Sequence, residues 1–278
     1  MRIGERIEII ENYPAIYLES IDTVVIADLH LGIERELASN GIFFPRFQYR
    51  DIKDSLLSIV SKISPKQIII DGDLKHRFGE RTDQEFNEVV ESLTLLSQDV
   101  EQVIVIRGNH DNFVKGLFTK FPKTKFVQSA YSQGDFIFTH GHEIPAGIET
   151  SGSKMIVIGH EHPAIVLRDD VGAKVKLRAL LVGSTKLKMD LVVMPAYSPL
   201  ALGTEVNLSN SPEQILSPLI RSYASIGDMR VYAIDAKSGV FGFPELRQWQ
   251  GTEPLERFMV KSMKKRGKKR KTTQINLV

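Results

Sequence analysis

The sequence contains no cysteine, which excludes disulfides, thiolate zinc sites and a cysteine nucleophile. It also lacks a long apolar run. The longest stretch without a charged residue, 191–204, has 14 residues and is broken by Pro195 and Pro199. A membrane span needs about 18 or more apolar residues, so no membrane partner is expected. The opening MRIGERIEII has no apolar core of the signal-peptide kind, and a cytoplasmic protein is the expectation. The remaining composition is ordinary: 278 residues, 42% hydrophobic, 25% charged, with 20 glycines. Collagen, a coiled coil and wholesale disorder are excluded on that ground. A chain near 300 residues buries about 75% of its unfolded surface and needs no covalent staple.

The net charge of +2 hides two unlike regions. Residues 261–278 carry eight Lys/Arg and no acid, which leaves 28 basic and 34 acidic side chains in 1–260. A mildly acidic body, the expected domain, thus ends in a strongly basic tail. Like charges at this density repel and favour disorder. Such a tail either stays solvated or neutralises phosphates on nucleic acid.

Within the body, strand-like and helix-like segments alternate. Residues 7–10 and 15–18 flank Asn12 and Pro14 as a short hairpin. TVVIA at 23–27 is a compact buried strand. In 47–63, Ile52, Leu56, Ile59, Val60 and Ile63 recur at helical spacing. Ser64-Pro65 ends that helix, because the residue before proline avoids helical geometry. A strand at 67–70 follows, then a capping box from Thr82 and Glu85. The next helix buries Phe86, Val89, Val90, Leu93 and Leu96. Further strands are expected at 103–106, 136–139 and 155–158. After Pro163 the pattern changes: 164–167, 175–181, 191–194 and 230–235 are strands without long helices between them. A layered α/β fold is expected, with a second, more antiparallel sheet beginning there and packed on the first.

The histidines are the distinctive feature. There are seven, each in a short polar turn, and five turns follow directly on a buried strand. TVVIA leads into Asp28-Leu29-His30, and QIIID into Gly72-Asp73-Leu74-Lys75-His76. VIVIR leads into Gly108-Asn109-His110-Asp111, FIFT into His140-Gly141-His142, and MIVI into Gly159-His160-Glu161-His162. In open α/β sheets, ligands bind beyond the carboxyl ends of the strands. The five turns offer imidazoles, carboxylates and one carboxamide, and no sulfur. That donor set suits Mn, Fe, Zn or similar divalent ions. One carboxylate can serve two ions, and a two-ion site clamps the attacking and leaving oxygens of a phosphoryl displacement. Any one of these turns alone would be an ordinary turn. Five in succession point to a metal site.

The series DLH, GDLKH, GNHD, HGH and GHEH, in this order within 23–163, resembles the calcineurin-like metallophosphoesterase superfamily. The resemblance implies a four-layer αββα sandwich of two mixed β-sheets flanked by helices. It implies a phosphoric ester hydrolase in which Asp28, His30 and His162 hold one metal and Asn109, His140 and His160 the other. Asp73 would bridge the two. Mn is the first expectation, with Fe, Zn, Co or Ni as alternatives. A bridging hydroxide would attack phosphorus, its pKa lowered by the ions. His110 would assist the leaving group, Asp111 would orient His110, and His76 would contact the phosphate. Either His140 or His142 could be the ligand; His140 lies nearer the strand end, which leaves His142 for substrate. Arg107 could steady a phosphate.

His76 in place of the usual second Asp resembles the SbcD-type DNA-repair nucleases. DLHLGIE, GHEHP and the later MPAYSPLALGTEVN resemble small archaeal SbcD-related phosphoesterases. The partners so implied are nucleic acid, a repair helicase or ATPase, and a second copy in a homodimer. The leading expectation is a nuclease. The alternative is a phosphodiesterase or phosphatase for a small nucleotide-like substrate, favoured by the acidic body and by little room for a DNA-capping domain. A non-catalytic scaffold is disfavoured, because the full set of motif residues is present. Phe43, Phe44, Arg46, Phe47, Tyr49 and Arg50 mix rings with positive charge; packing of the first helix is the preferred reading over base stacking.

Overall fold

The strands of 1–127 and those of 130–245 form two separate sheets in the computed structural model. It describes residues 1–43, 45–112, 114–168, 172–201, 203–208 and 214–249. The basic run 261–278, its expected disorder and the boundary at 260 lie outside the described residues.

The first sheet runs in chain order: β1 (Arg2–Ile3), β2 (Ile7–Ile9), β3 (Ile16–Leu18), β4 (Thr23–Ile26), β5 (Gln67–Asp71), β6 (Gln102–Ile106) and β7 (Thr124–Val127). Strands β1 to β4 pair antiparallel and β4 to β7 parallel. Of the parallel strands, β4, β5 and β6 are almost wholly buried and read as largely apolar runs, whereas β7 at the edge exposes Lys125. The second sheet holds β8 (Ala130–Gln133), β9 (Phe136–Thr139), β10 (Met155–Ile158), β11 (Pro163–Arg168), β12 (Lys174–Ser184), β13 (Asp190–Val193), β14 (Thr204–Glu205), β15 (Arg230–Asp235) and β16 (Gly239–Glu245). Its order is β14-β11-β12-β13-β10-β9-β8, and β15 joins β12 and carries β16.

The second sheet therefore begins at β8, not after Pro163. An apolar run such as FIFT or MIVI reports burial on both faces but not which sheet it joins. The consequence is functional: the DLH, GDLKH and GNHD turns come from one sheet, and the HGH and GHEH turns from the other.

The described residues form four α-helices: α1 (Ile33–Ser39), α2 (Gln48–Ile63), α3 (Asp83–Asp99) and α4 (Pro218–Tyr223). Helix α2 buries Ile52, Leu56, Ile59 and Val60 and stops at Ser64, whose φ of 51° is left-handed. Helix α3 opens on the expected capping box: the Glu85 amide donates to Thr82 Oγ1 at 3.2 Å, and the Thr82 amide donates to Glu85 Oε2 at 2.6 Å. Both helices pack on the outer face of the first sheet through Val24, Ile26, Ile68, Ile70, Leu93 and Leu96. Val25, Ile69, Ile104, Phe138, Val157 and Val192 fill the seam between the sheets. Helix α4 contributes Leu219 and Ile220 to the outer face of the second sheet. Each fully buried Ile, Leu, Val or Phe is worth about 1.5–3 kcal/mol, so the four layers hold the strand ends rigidly. Among the described residues no helix is long and apolar enough to cross a membrane.

Candidate metal centre

The five histidine-bearing turns gather where the two sheets meet. The turns after β4 and β5 are joined by main-chain bonds. The Asp28 amide donates to Gly72 O at 3.1 Å, His30 N to Asp73 O at 2.9 Å, Leu31 N to Leu74 O at 3.0 Å, and His76 N to Leu31 O at 3.0 Å. Asp28, His30, Asp73, His160 and His162 all have positive φ, between 46° and 64°. Such a conformation costs a non-glycine residue on the order of 1–3 kcal/mol and persists only where the surroundings enforce it. Its effect is to break the strand alternation, so Asp28 and His30, like His160 and His162, turn together into the cleft. A Cβ on Gly72, itself at φ 82°, would run into the His140 ring, and one on Gly108 into Asp73. Only glycine permits the sheets to close this far.

The donor atoms form two groups that share one carboxylate. Asp28, His30, Asp73 and His162 offer atoms within 4.8 Å of one another, as do Asp73, His140 and His160. His162 Nε2 lies 3.0 Å from Asp28 Oδ1, and His140 Nε2 lies 3.2 Å from Asp73 Oδ2. Asn109 Oδ1 stands 3.2 Å from His140 Nε2 and adds an oxygen donor on that side. His30 Nε2 and His162 Nε2 face each other at 3.3 Å. His30, His76 and His110 make a third cluster, in which His76 Nδ1 is 3.2 Å from His30 Nδ1.

Electrostatics fits these groups to cations. Burial pushes the Asp28 carboxyl up, but His162 and His140 overcome it and hold it below its ordinary value. Asp73 is likewise opposed by burial and held far below the carboxylate range by His140, His30 and His110. Both are carboxylates. Burial drives His30 down to about 3 and His160 down to about 4, with neighbouring histidines adding to it. Their rings are therefore neutral and carry a free lone pair. Burial also pulls on His140 and His162, yet Asp73 and Asp28 prevail, raising His162 and taking His140 to about 10. Protons held this way are the ones a divalent ion displaces when it occupies the same place. Nitrogen and oxygen donors around buried negative charge fit two divalent ions.

Asp71, the last residue of β5, is wholly buried, and neither carboxylate oxygen has a hydrogen-bond partner. Burial, and Asp28 beside it, raise its pKa well above the ordinary value against the pull of His140. Its carbonyl lies 3.0 Å from His140 Nδ1 and fixes that ring. Sequence reading missed Asp71, since it ends an apolar strand and looks like part of the turn. It also missed Glu161, which is buried and accepts the Leu216 and Ser217 amides, both at 3.0 Å. Gln48 too was missed; its amide bonds Leu29 O, His30 O and Ser198 Oγ at 2.9–3.0 Å and braces the first turn.

The remaining expected residues divide. His140, not His142, stands in a donor cluster. His142 is half-buried, with its ring 5.3 Å from that of His140. His110 Nδ1 donates to the His76 carbonyl. A carbonyl only accepts, so Nδ1 keeps its proton, and Nε2 faces Asp73 Oδ2 at 3.8 Å. Asp111 does not orient the His110 ring as expected. Its oxygens accept the Gly108 amide at 2.8 Å and the Lys75 amide at 3.3 Å, so it acts on the backbone of the turn. Burial, and Asp73 next to it, push Asp111 up to about 7. Arg107 donates to Asn112 Oδ1 at 3.0 Å. Phe43 is 83% exposed, which departs from the packing expected of it. Phe44 lies outside the described residues.

Residues 21–164 match the family model described as calcineurin-like phosphoesterase. No curated protein matches the chain. Among solved structures, nuclease MPE of Pseudomonas putida is similar, with a TM-score of 0.57 and 19% identity over 83% of this chain and 92% of that one. A phosphoesterase from E. coli aligns with a TM-score of 0.38 and 16% identity, covering 80% and 98%. A protein of unknown function from Aquifex aeolicus aligns with a TM-score of 0.36 and 15% identity, covering 50% and 78%. The first likeness is one of fold.

Proposed function

The chain belongs to the calcineurin-like phosphoesterase family and is a phosphoester hydrolase; on that premise we propose that it cleaves phosphodiester bonds in nucleic acid with two divalent ions, manganese first among them. The observation that carries the reading is the position of Asp73, shared by both donor groups, with His110 Nε2 3.8 Å from its Oδ2. We assign Asp28, His30 and His162 to one ion, Asn109, His140 and His160 to the other, and Asp73 to both.

Two ions so held would lower the pKa of water and draw charge from the phosphoryl oxygens. The chain supplies the rest. His110, held by the His76 carbonyl, presents Nε2 to the reacting phosphate and, when protonated there, gives that proton to the departing oxygen. His76 stands in the same cluster, where its imidazole can bind a phosphoryl oxygen. Asp111 keeps the Gly108–Asp111 turn in register, so His110 does not drift.

Nucleic acid as substrate is supported by the SbcD-like GDLKH and by the eight basic residues of 261–278, which can neutralise backbone phosphates. A role in DNA repair with a helicase or ATPase, and a dimer, belong to the same resemblance. The test uses labelled single- and double-stranded DNA and RNA, beside small nucleotide esters, with Mn²⁺. Cleavage of a strand supports the reading. Cleavage of the small esters alone overturns it in favour of a nucleotide-like substrate.

A further inference from the structure

One aromatic ring at the site is exposed. Phe78 is 57% accessible, yet its centroid sits 3.7 Å from that of the His110 ring, tilted by 31°. An isolated exposed phenylalanine is unremarkable when its backbone is free to turn it away. Here the backbone is fixed on every side. Asn112 Nδ2 donates to Phe78 O at 3.1 Å, and Arg107 holds Asn112 in turn. The Arg77 amide donates to Glu85 Oε1 at 2.6 Å. The fully buried Lys75 donates from Nζ to the carbonyls of Arg77, Gly79 and His110, the last at 2.6 Å. Placing an ammonium in the interior is costly. Three carbonyls offset that cost, and two of them flank Phe78 while the third belongs to His110. The ring and the proton donor are thus mounted on one rigid support.

A pre-organised ring with one face on a catalytic imidazole and the rest in water is a stacking surface. The residue before it, Arg77, is an exposed cation; further along the same loop Glu80 is exposed too, and the Arg81 guanidinium lies over the Phe86 ring at 4.1 Å. Ring plus positive charge is the combination that holds an unpaired base and its phosphate. A single ring among charged residues is too small for protein docking, which needs a contiguous apolar area.

We propose that Phe78 is the specificity-determining residue of the site, a platform on which the nucleobase joined to the scissile phosphate stacks. The inference rests on the phosphodiesterase reading above and names the substrate feature it recognises. The base arrives either in a single strand or in a free nucleotide ester.

The experiment compares two pairs of substrates with Mn²⁺. One pair is a single-stranded oligonucleotide with a normal residue or a tetrahydrofuran abasic residue at the cleaved linkage. The other is the methyl ester of thymidine 5′-phosphate and its abasic counterpart. The readout is the ratio of kcat/KM with base to that without. Wild type is expected to favour the base roughly tenfold or more in at least one pair, and that pair identifies the source of the base. Phe78→Ala is expected to bring the ratio close to one, and Phe78→Trp to keep it. A loss of His110 function through a disturbed turn would lower both members of a pair and leave the ratio alone. A wild-type ratio near one, or a ratio that survives Phe78→Ala, overturns the platform while the phosphodiesterase reading stands. No cleavage of any of the four by wild type overturns the platform, and the phosphodiesterase reading falls with it when duplex DNA and RNA are left intact as well.

Discussion

The main-chain amide of His110 donates to Asp73 Oδ1 at 2.9 Å while its imidazole Nε2 lies 3.8 Å from Asp73 Oδ2. One residue thus positions the shared carboxylate with its backbone and faces it with its side chain. The two contributions are separable. His110→Ala keeps the amide and loses the ring. The variant is expected to bind two metal ions as wild type does, while kcat for a phosphodiester falls roughly 10²–10⁴-fold. Metal analysis on the purified variant, with steady-state kinetics on bis-p-nitrophenyl phosphate, checks both halves.

The two histidines of HGH are expected to differ. His140 is wholly buried against Asp73, Asn109 and the Asp71 carbonyl, whereas His142 stands outside both donor groups. His140→Ala should reduce bound metal from about two ions per chain to about one. His142→Ala should retain both and show its effect in KM. Equal metal loss in the two variants would mean that ligand assignment by burial fails here.

Stability should respond to pH through Glu88, which is buried beside Glu34 and Gln84. Burial pushes its carboxyl up to about 7, with Glu34 adding to this and the Gln84 hydrogen bond opposing it. Below pH about 4.5 the folded and unfolded chains both keep this proton. Between about 4.5 and 7 the folded protein keeps it and the unfolded chain has released it, so stability from this group falls as pH rises. Above about 7 the penalty is complete. Glu88→Gln removes the titration, but its NH2 faces one of the two donors that the carboxyl oxygens accept, Gln84 Nε2 or the Gly32 amide, both at 2.8 Å. Whatever that fixed cost, the stability of the variant relative to wild type should rise by on the order of 1–2 kcal/mol between pH 5 and pH 8. Urea unfolding at the two pH values measures the difference; an equal difference at both would remove Glu88 as its source.

Much of the site was legible because its chemistry is local. A buried strand followed by Asp-x-His or His-x-His needs no distant residue to be recognised, and Thr82 with Glu85 announced its helix from sequence alone. What could not be read depended on contacts made far along the chain. FIFT and MIVI gave their burial but not their sheet. Asp71 and Lys75 become meaningful only when β9 and the GNHD turn close over them. Asp111 sits where a ring-orienting carboxylate was expected, but its oxygens are taken by two amides, and that depends on how the turn folds rather than on its composition. Helix α1 went unread because seven residues with Ile33 and Glu34 both buried show no helical apolar stripe. Strand β12 runs past the expected 175–181 as far as Ser184, because Gly183 and Ser184 have the composition of a turn.

The shared carboxylate is tested most directly by counting metal on Asp73→Asn. The substitution keeps the size of the side chain and removes the charge on which both donor groups depend. Wild type loaded with Mn²⁺ and freed of excess is expected to carry about two ions per chain by elemental analysis, and Asp73→Asn to lose affinity for both. A variant that keeps two tightly held ions, or a wild type that never exceeds one, would contradict a two-metal centre built on Asp73.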